Sequence, residues 1–393
     1  MKPTKTSSGA TLSIDLGAIR QNYRLLRRQA GKAACAAVMK ADAYGLGASH
    51  IAPILAQEGC RHFFVAHLDE GIGLRRCVPA EADIFVLHGP PPEAERDFIE
   101  HGLIPVLNSL PQVRAWRTLC QQLDRRLPAV IQVDTGMSRM GLSPDEVDIL
   151  LSDANYLHCI DLRYLMSHLA CAESQSHFMN EAQLRRFQVL RARFPSIPAS
   201  LANSSGIFLG RPYQFDLVRP GAALYGLAPV AGEPNPMHPV VSLQGRIIQT
   251  RTIKIGDYVG YGLTYRADSA RHIATVSVGY ADGWMRAMSN RGIAVIGGVS
   301  VPFVGSVSMD TITLDVTAID RTKLVPGAMV DLIGPNHPVD TVAALARTIG
   351  YEILTSLGNR FHREYVDAPC NCDDPLAGAA ASSSIAGEAV AHW

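Results

Sequence analysis

The segment AACAAVMKADAYGLGA, residues 33–48, gives the strongest local indication of the fold. Its first seven residues are small or apolar, which is typical of a buried strand, and Lys40 follows them directly. A lysine at the carboxyl end of a buried strand lies where barrel enzymes place catalytic groups. Partial burial would lower its pKa and favour Schiff-base chemistry. A surface lysine at a strand end is the plainer alternative.

Seven more apolar runs follow, and most are separated by room for one helix. The eight runs are centred near Val38, Phe64, Phe85, Pro105, Ile131, Leu165, Leu201 and Val218. Ahead of the first run, Ile19, Tyr23 and Leu26 recur at helical spacing. Eight buried strands alternating with helices over roughly 230 residues predict an α/β fold of the (β/α)8 TIM-barrel type. A doubly wound open sheet is the structural alternative.

The pattern changes after Pro239, where strand-like segments with Gly-rich connections begin. A short helix, TVAALARTIG, follows them, with Asp340 expected as its N-cap. We therefore predict a barrel domain over residues 1–238 and a mostly-β C-terminal domain over residues 239–369. Residues 370–393 are rich in Ala, Ser and Gly and are expected to form a flexible tail. Its Cys370 and Cys372 have no matching pair nearby, so no metal site is predicted.

Composition and charge exclude several classes of protein. Lys+Arg and Asp+Glu both number 36, so the balance favours neither nucleic acid nor an anionic membrane as a partner. The N-terminus lacks the long apolar core of a secretory signal, and no apolar stretch is long enough to span a membrane. A cytoplasmic enzyme acting on a small molecule fits these features.

Two loops after the last barrel runs have the composition of a phosphate site. NSSG, residues 203–206, follows the seventh run, and RPGAA, residues 219–223, follows the eighth. Barrels often bind phosphate with these two loops. The Ser204 hydroxyl and the backbone N–H groups of Gly221 and Ala222 could serve as donors. Either loop alone is an ordinary turn, but together with Lys40 they indicate a phosphorylated carbonyl cofactor.

At this point the chain resembles alanine racemases, enzymes of the fold-type III group that use pyridoxal 5′-phosphate (PLP). The matching stretches are AVMKADAYGLG, VDTGMSRMGL, MSHLACAE, ANSSG, VRPGAALYG, YGLTY, SVGYADG and VSMD. They occur in family order from about residue 11 to residue 366 and cover both predicted domains. So many ordered matches are more specific than any single motif.

The resemblance implies a cofactor site in the barrel. Lys40 would carry PLP covalently through its side-chain amine. The phosphate would be bound by Tyr44, Ser204 and the backbone of Gly221 and Ala222. Arg219 would face the pyridine nitrogen, and His168 would support Arg219 or the ring.

The resemblance also implies how L-alanine and D-alanine are interconverted. Lys40 and Tyr261 would exchange protons on opposite faces of the cofactor, which is a two-base mechanism. Arg139 and the Met309 backbone N–H would bind the substrate carboxylate, and Tyr280 would line the path by which substrate enters. Tyr261 and Met309 would reach the barrel of a second subunit, so a homodimer with shared active sites and a role in D-alanine biosynthesis are expected.

The chain departs from the family pattern at two positions. Gln132 lies where many relatives have a lysine that becomes carbamylated and holds the arginine matching Arg139. Glutamine cannot form that carbamate, so we hypothesise a neutral contact or a bound anion beside Arg139. Asn359 lies where some relatives place a tyrosine against the phosphate. Asn359 could still donate a hydrogen bond there, although it is smaller.

Other functions remain open at this stage. A broader-specificity racemase acting on serine or lysine is compatible with Gln132. A non-catalytic PLP-binding barrel would resemble only the first half, and YGLTY and VSMD in the second half argue against it. Decarboxylases of this fold use an acidic group at the pyridine nitrogen, which disagrees with Arg219.

Overall fold

The computed structural model describes residues 4–153 and 156–367. The strands of its first part are β1 (Ala10–Asp15), β2 (Ala34–Cys35), β3 (Ala37–Val38), β4 (His62–Val65), β5 (Asp83–Val86), β6 (Ile104–Leu107), β7 (Leu127–Gln132), β8 (Ile160–Met166), β9 (Ala199–Ser200) and β10 (Leu217–Val218). Strands β3 to β9 form one parallel sheet in sequence order, and β2 continues into β3 as one interrupted strand. Apart from residues 161–164 of β8, most residues of these strands are buried, because helices cover the outside of the sheet.

The sheet closes into a ring. Strand β10 pairs in parallel with β2, with Val218 opposite Cys35. At the junction before it, the Asp216 N–H donates to the Ala199 carbonyl at 3.0 Å. The eight predicted runs therefore form a closed (β/α)8 barrel, as expected, and the open doubly wound sheet is wrong.

Helices alternate with these strands. They are α1 (Leu16–Ala30), α2 (Ala48–Gln57), α3 (Leu68–Arg75), α4 (Glu95–Glu100), α5 (Leu110–Gln122), α6 (Pro144–Ser152), α7 (Phe178–Ala192), α8 (Ser204–Phe208) and α9 (Arg211–Gln214). Helix α1 shows why they form: the Asp15 carboxylate caps its first turn and Gly31 ends it at φ 64°. Its Ile19, Tyr23 and Leu26 are buried, which confirms the helical spacing.

The second part of the chain is mostly β. Its strands are β11 (Val241–Ile253), β12 (Tyr258–Val259), β13 (Tyr265–Arg266), β14 (Arg271–Val276), β15 (Ile293–Ile296), β16 (Val299–Pro302), β17 (Ile312–Asp315), β18 (Met329–Ile333) and β19 (His362–Val366). Two helices, α10 (Val339–Ala346) and α11 (Gly350–Ser356), precede β19. The long strand β11 alternates buried and half-exposed residues and pairs with β1, β14 and β18.

The N-terminal strand belongs to this second sheet. Leu12 of β1 lies opposite Leu243 of β11 and Arg363 of β19. The proposed first domain, residues 1–238, thus contributes one strand to the sheet of the second. Asp340 differs from expectation as well: it lies inside α10, whose N-cap is Pro338, and its carboxylate accepts the Ala228 N–H at 3.0 Å. This hydrogen bond links the two regions, and the carboxylate does not cap the helix.

Two further observations bound the fold. One large hydrophobic core runs through both regions, and a small cluster of Ile253, Val259, Ala267, Ile273 and Val304 lies apart from it. Across residues 4–153 and 156–367, no helix has the length and apolar character needed to cross a membrane. Cys370 and Cys372, and the predicted tail, lie outside the described residues.

Candidate active site

Lys40 begins an unusual turn at the end of the first barrel strand. Four successive residues after it, Ala41 to Tyr44, have φ between 52° and 56°, so residues 40–45 (the lysine turn) form a left-handed helical turn. Residues other than glycine rarely adopt this conformation even singly, and four in a row require support from other parts of the structure. The Glu70 carboxylate gives that support, because it accepts the Ala41 N–H at 2.6 Å.

The C-terminal region clamps the other end of the lysine turn. The Arg363 guanidinium donates to the Gly45 carbonyl, and the Tyr365 hydroxyl donates to the Leu46 carbonyl at 3.0 Å. Gly45 also packs on the Leu354 carbonyl of α11, where a Cβ atom would approach within 2.7 Å. The turn that carries Lys40 is therefore held by both parts of the chain.

A cradle of donors lies beside the turn. The Ser204 hydroxyl accepts the Gly221 N–H at 2.9 Å and the Ala223 N–H at 3.2 Å. A Cβ atom on Gly221 would lie 2.4 Å from the Tyr44 hydroxyl, so only glycine allows that hydroxyl to lie over the backbone. Within residues 4–153 and 156–367, no acceptor is found for the Ala222 N–H. Hydroxyls and amides here converge on a space suited to an oxyanion.

Arg219 is buried at the end of the last barrel strand. Its guanidinium donates to the Ser200 hydroxyl and to the Ser167 carbonyl, the latter at 2.7 Å, and Nη2 lies 3.4 Å from Nδ1 of His168. Burial lowers the pKa of Arg219 to about 9, so the guanidinium stays charged at neutral pH. Burial and the nearby Arg219 charge lower the pKa of His168 to about 3. A neutral imidazole can then accept a hydrogen bond from Arg219.

These groups open onto one cavity of about 370 Å³ at the carboxyl ends of the barrel strands. Nine residues singled out in the sequence line it: Lys40, Tyr44, Gln132, Arg139, His168, Ser204, Arg219, Gly221 and Ala222. Burial, followed by the Arg139 charge, lowers the pKa of Lys40, which favours the neutral, nucleophilic amine. Gln132 is buried at the cavity wall and makes no side-chain hydrogen bond to Arg139 or another described residue.

Three predicted residues lie elsewhere. Tyr261, Tyr280 and Met309 are absent from the described residues that line the cavity, and they are 76%, 44% and 53% exposed. Tyr261 lies in a tight turn after Gly260, which has φ 73°. The Ser306 hydroxyl donates to the Tyr261 carbonyl at 2.9 Å, and the small separate hydrophobic cluster lies beside this turn. The turn thus has its own support and presents the phenol outward.

The cavity also contains residues that sequence analysis missed. Tyr351 of α11 lines it, with its ring centroid 6.0 Å from that of Tyr44. Asn359, which was expected near the phosphate, is exposed beyond the end of α11 and does not line the cavity. The difference arises because α11 packs on the lysine turn and directs its first turn toward Tyr44. His88 lines the cavity too, and burial lowers its pKa. Neither Tyr351 nor His88 lies in a stretch that matched the family.

The fold and the cavity together define a class: a barrel enzyme with a strand-end lysine and a phosphate cradle, suited to a phosphorylated carbonyl cofactor. Comparison with known sequences makes the class specific. The pattern described as "Alanine racemase, N-terminal domain" matches residues 14–229, and "Alanine racemase, C-terminal domain" matches residues 240–365. The chain belongs to the alanine racemase family.

Individual relatives agree with this assignment. The catabolic alanine racemase of Mesorhizobium japonicum is 53% identical over 363 residues, covering 92% of this chain and 95% of that protein. The alanine racemase of Rhodospirillum rubrum is 49% identical over 91% of this chain and 96% of its own length. The crystal structure of alanine racemase from Bartonella henselae with covalently bound pyridoxal phosphate superimposes with a TM-score of 0.89 at 44% identity, covering 91% of this chain and all of that one. The identification made from the sequence is confirmed.

Proposed function

We propose that this chain interconverts L-alanine and D-alanine with PLP held in the barrel cavity. The observation that carries the proposal is the convergence of Lys40, the Ser204–Gly221 cradle and the buried Arg219 on one cavity. The related B. henselae enzyme holds covalently bound pyridoxal phosphate in the same fold. When bound, PLP supplies the electron sink that makes the α-proton of an amino acid removable.

The cavity residues suit both the carbonyl end and the phosphate end of that cofactor. Lys40 would hold its carbonyl carbon through the side-chain amine, which burial keeps reactive. Tyr44, Ser204 and the backbone N–H groups of Gly221 and Ala222 would bind the phosphate. For Gly221, whose N–H donates to the Ser204 hydroxyl oxygen, this requires the Ser204 side chain to rotate so that the N–H is released. Tyr351, although not predicted, is close enough to Tyr44 to contribute a second phenol at this end.

Arg219 would set the electronic character of the cofactor. It can only donate, so it would leave the pyridine nitrogen unprotonated. An unprotonated ring would be a weaker electron sink than one paired with a carboxylate, and this would limit side reactions. His168, neutral because of its burial, would keep Arg219 in place by accepting from it.

Proton transfer on both faces of a flat cofactor needs two groups. Lys40 would serve one face and Tyr261 the other, so that the substrate need not move between removal and return of the proton. Arg139 at the cavity wall and the Met309 N–H would bind the substrate carboxylate, while Tyr280 would line its path. The Met309 N–H donates to no acceptor within the described residues, so it is available for this role.

Tyr261, Tyr280 and Met309 would act in the cavity of a second copy of the chain. Exposed apolar side chains support this, because the segment of Tyr261 also carries Tyr258 and Leu263, which are 51% and 59% exposed. Large exposed apolar patches mark interaction sites. A homodimer would cover the patch and complete two active sites at once.

One observation favours a second, broader function. Gln132 brings no negative charge to Arg139, and the neutral hydrogen bond expected between them is not found among the described residues. A bound anion such as chloride would therefore have to orient that guanidinium. A less firmly fixed Arg139 would let the bound amino acid take more than one position, which would weaken the discrimination between the side chains of alanine, serine and lysine. Racemisation rates on L-alanine, L-serine and L-lysine would separate the two possibilities.

Complementation between variants tests the shared site. Lys40→Ala and Tyr261→Phe chains should each lose about 10²–10⁴-fold in activity. After subunit exchange, a mixed dimer contains one intact site, so about a quarter of wild-type activity should return if association is random. Mixing Lys40→Ala with Arg219→Ala is the matched control, because both changes lie in the barrel half and no intact site can form. A fully active monomer, or exchange without recovery, would contradict the proposal.

A further inference from the structure

Three charged residues of the second region, Arg360, Asp282 and Asp310, form an ion triad next to the loops that carry Tyr280 and Met309. Arg360 Nε is 3.0 Å from Asp282 Oδ1, and its Nη1 is 2.9 Å from Asp310 Oδ1. Asp282 comes two residues after Tyr280, and Asp310 directly follows Met309.

The two loops that carry these aspartates are joined through their backbones. The Tyr280 N–H donates to the Ser308 carbonyl at 3.0 Å, and the Ala281 N–H donates to the Met309 carbonyl at 2.9 Å. A Cβ atom on Gly279 would lie 2.3 Å from the same Met309 carbonyl, so the contact requires glycine. The direction of the Met309 peptide is thus set by loop 279–283.

Loop 279–283 depends in turn on Asp282. One carboxylate oxygen of Asp282 accepts the Gly279 N–H at 2.8 Å, and the other faces Arg360. The Asp282 carbonyl accepts the Gly358 N–H at 2.9 Å, which fixes the loop to the segment that carries Arg360. The Asp282 side chain is only 6% exposed, and burial raises its pKa. Arg360 supplies the positive charge that keeps this buried carboxylate ionised beside Asp310.

We propose that Arg360 is a positioning residue for substrate binding: by bridging Asp282 and Asp310, it fixes the Met309 N–H in the direction needed to bind the substrate carboxylate. The inference rests on the proposed function of Met309. Arg360 touches neither substrate nor cofactor in this role. It acts through two loops whose relative position it determines.

The expected effect is on binding and not on the chemical step. An exposed ion pair contributes little by itself, and the Arg360–Asp310 contact is of that kind. The contact with Asp282 matters more, because its loss leaves a nearly buried carboxylate without its cation. Since hydrogen bonds weaken steeply with misalignment, a small rotation of the Met309 peptide should weaken carboxylate binding.

The test compares Arg360→Gln with the wild-type holoenzyme. KM for L-alanine and the calorimetric Kd for propionate, a carboxylate without the amine, should both rise about five- to tenfold, which is the weakening expected for one misaligned hydrogen bond. The kcat, the visible absorbance of the bound cofactor and the sedimentation coefficient should stay unchanged. Arg360→Lys should recover part of the affinity. Arg193→Gln, which breaks an exposed ion pair with Asp148 on the outside of the barrel, is the matched control and should change nothing.

A second variant separates this inference from the proposed function. Met309→Pro removes the N–H itself. If Met309→Pro leaves propionate affinity unchanged, the proposed role of Met309 is wrong. If Met309→Pro weakens binding and Arg360→Gln does not, the positioning role of Arg360 is overturned. A fall in kcat together with loss of cofactor or of the assembled state in Arg360→Gln would also overturn it, because the triad would then have only a general structural role.

Discussion

The barrel cavity and the exposed loops of the second region differ in how completely one chain builds them. In the cavity, Arg219 is buried and hydrogen-bonded on several sides, and Tyr44 lies against Gly221 with no room for a side chain between them. In the second region, Tyr261 and Met309 have well-supported backbones but exposed side chains. A single chain therefore completes a cofactor site, whereas the other half of the proposed active site faces outward.

The difference teaches how the chemistry is divided. Burial in the barrel lowers the pKa values of Lys40, His168 and Arg219, and this requires surroundings that one chain provides. The loops of the second region provide rigid display instead. Cofactor binding should therefore respond to changes in the barrel and in the segments of the second region that hold the lysine turn. Catalysis should respond in addition to changes in the outward-facing loops.

Filling the cradle is the strongest way to test that division. In Gly221→Ala the new Cβ atom would lie 2.4 Å from the Tyr44 hydroxyl, so either the hydroxyl or the backbone must move. Overpacking of this kind costs about 1–3 kcal/mol, which corresponds to about 5- to 150-fold weaker PLP binding. Equilibrium dialysis of the cofactor against the apoenzyme measures it.

Gly73→Ala is the control for this prediction. Gly73 lies in α3 of the same barrel, and a Cβ atom there meets nothing within 4 Å, so cofactor affinity should be retained. Equal affinities for the two variants would show that the cradle does not hold the phosphate. In that case the barrel cavity could not be contrasted with the second region as the place where the cofactor phosphate is bound.

A smaller effect should appear in the pH dependence of stability. His168 has a folded pKa of about 3 against an ordinary value of 6.5, so the unfolded chain binds more protons between these values. Stability from this residue is therefore complete above pH 6.5 and is lost as the pH falls. Between pH 7 and pH 5 the loss should reach about 2 kcal/mol. Urea unfolding of the apoenzyme at both pH values should show a shallower pH dependence in His168→Gln, and equal slopes would contradict the burial of this imidazole.

The fold was more predictable than the site. The eight barrel runs are short, apolar and evenly spaced, which is local information that the sequence displays directly. The pairing of β1 with β11 and β19 was missed, because it joins residues more than 200 positions apart and depends on tertiary packing. The left-handed turn from Ala41 to Tyr44 was also missed, since Ala and Tyr carry no local preference for positive φ.

For the site, ordered motifs located the cavity residues well, because each follows a barrel strand. Tyr351 escaped notice because helix α11 and not a motif brings it to the cavity. Asn359 was selected by alignment spacing, which cannot show that the chain has already left the cavity after α11 ends. Exposure of Tyr261 likewise has no signature in the sequence.

The smallest expected effect concerns Glu70, and it tests whether proton transfer is divided between the barrel and the second region. Its carboxylate holds the Ala41 N–H and the Ala66 N–H, and its charge raises the pKa of Lys40 against the larger lowering from burial and Arg139. In Glu70→Gln the negative charge disappears, so the pKa of Lys40 should fall further. Because glutamine has only one acceptor oxygen, one of the backbone N–H groups also loses its acceptor, and the cofactor content of the variant shows whether the turn is kept. The acid limb of the kcat profile should then move to lower pH, by about one unit or less.

The shift should appear in only one direction of the reaction. Under the proposed mechanism, Lys40 removes the α-proton in one direction, and there its pKa would set the acid limb. In the opposite direction the base would be Tyr261 from the other region. Profiles for L-alanine and D-alanine with Glu70→Gln, at retained cofactor content, therefore distinguish the two bases. A shift of equal size in both directions would mean that one group serves both faces, and the separation of barrel and outward-facing loops into two proton-transfer halves would fail.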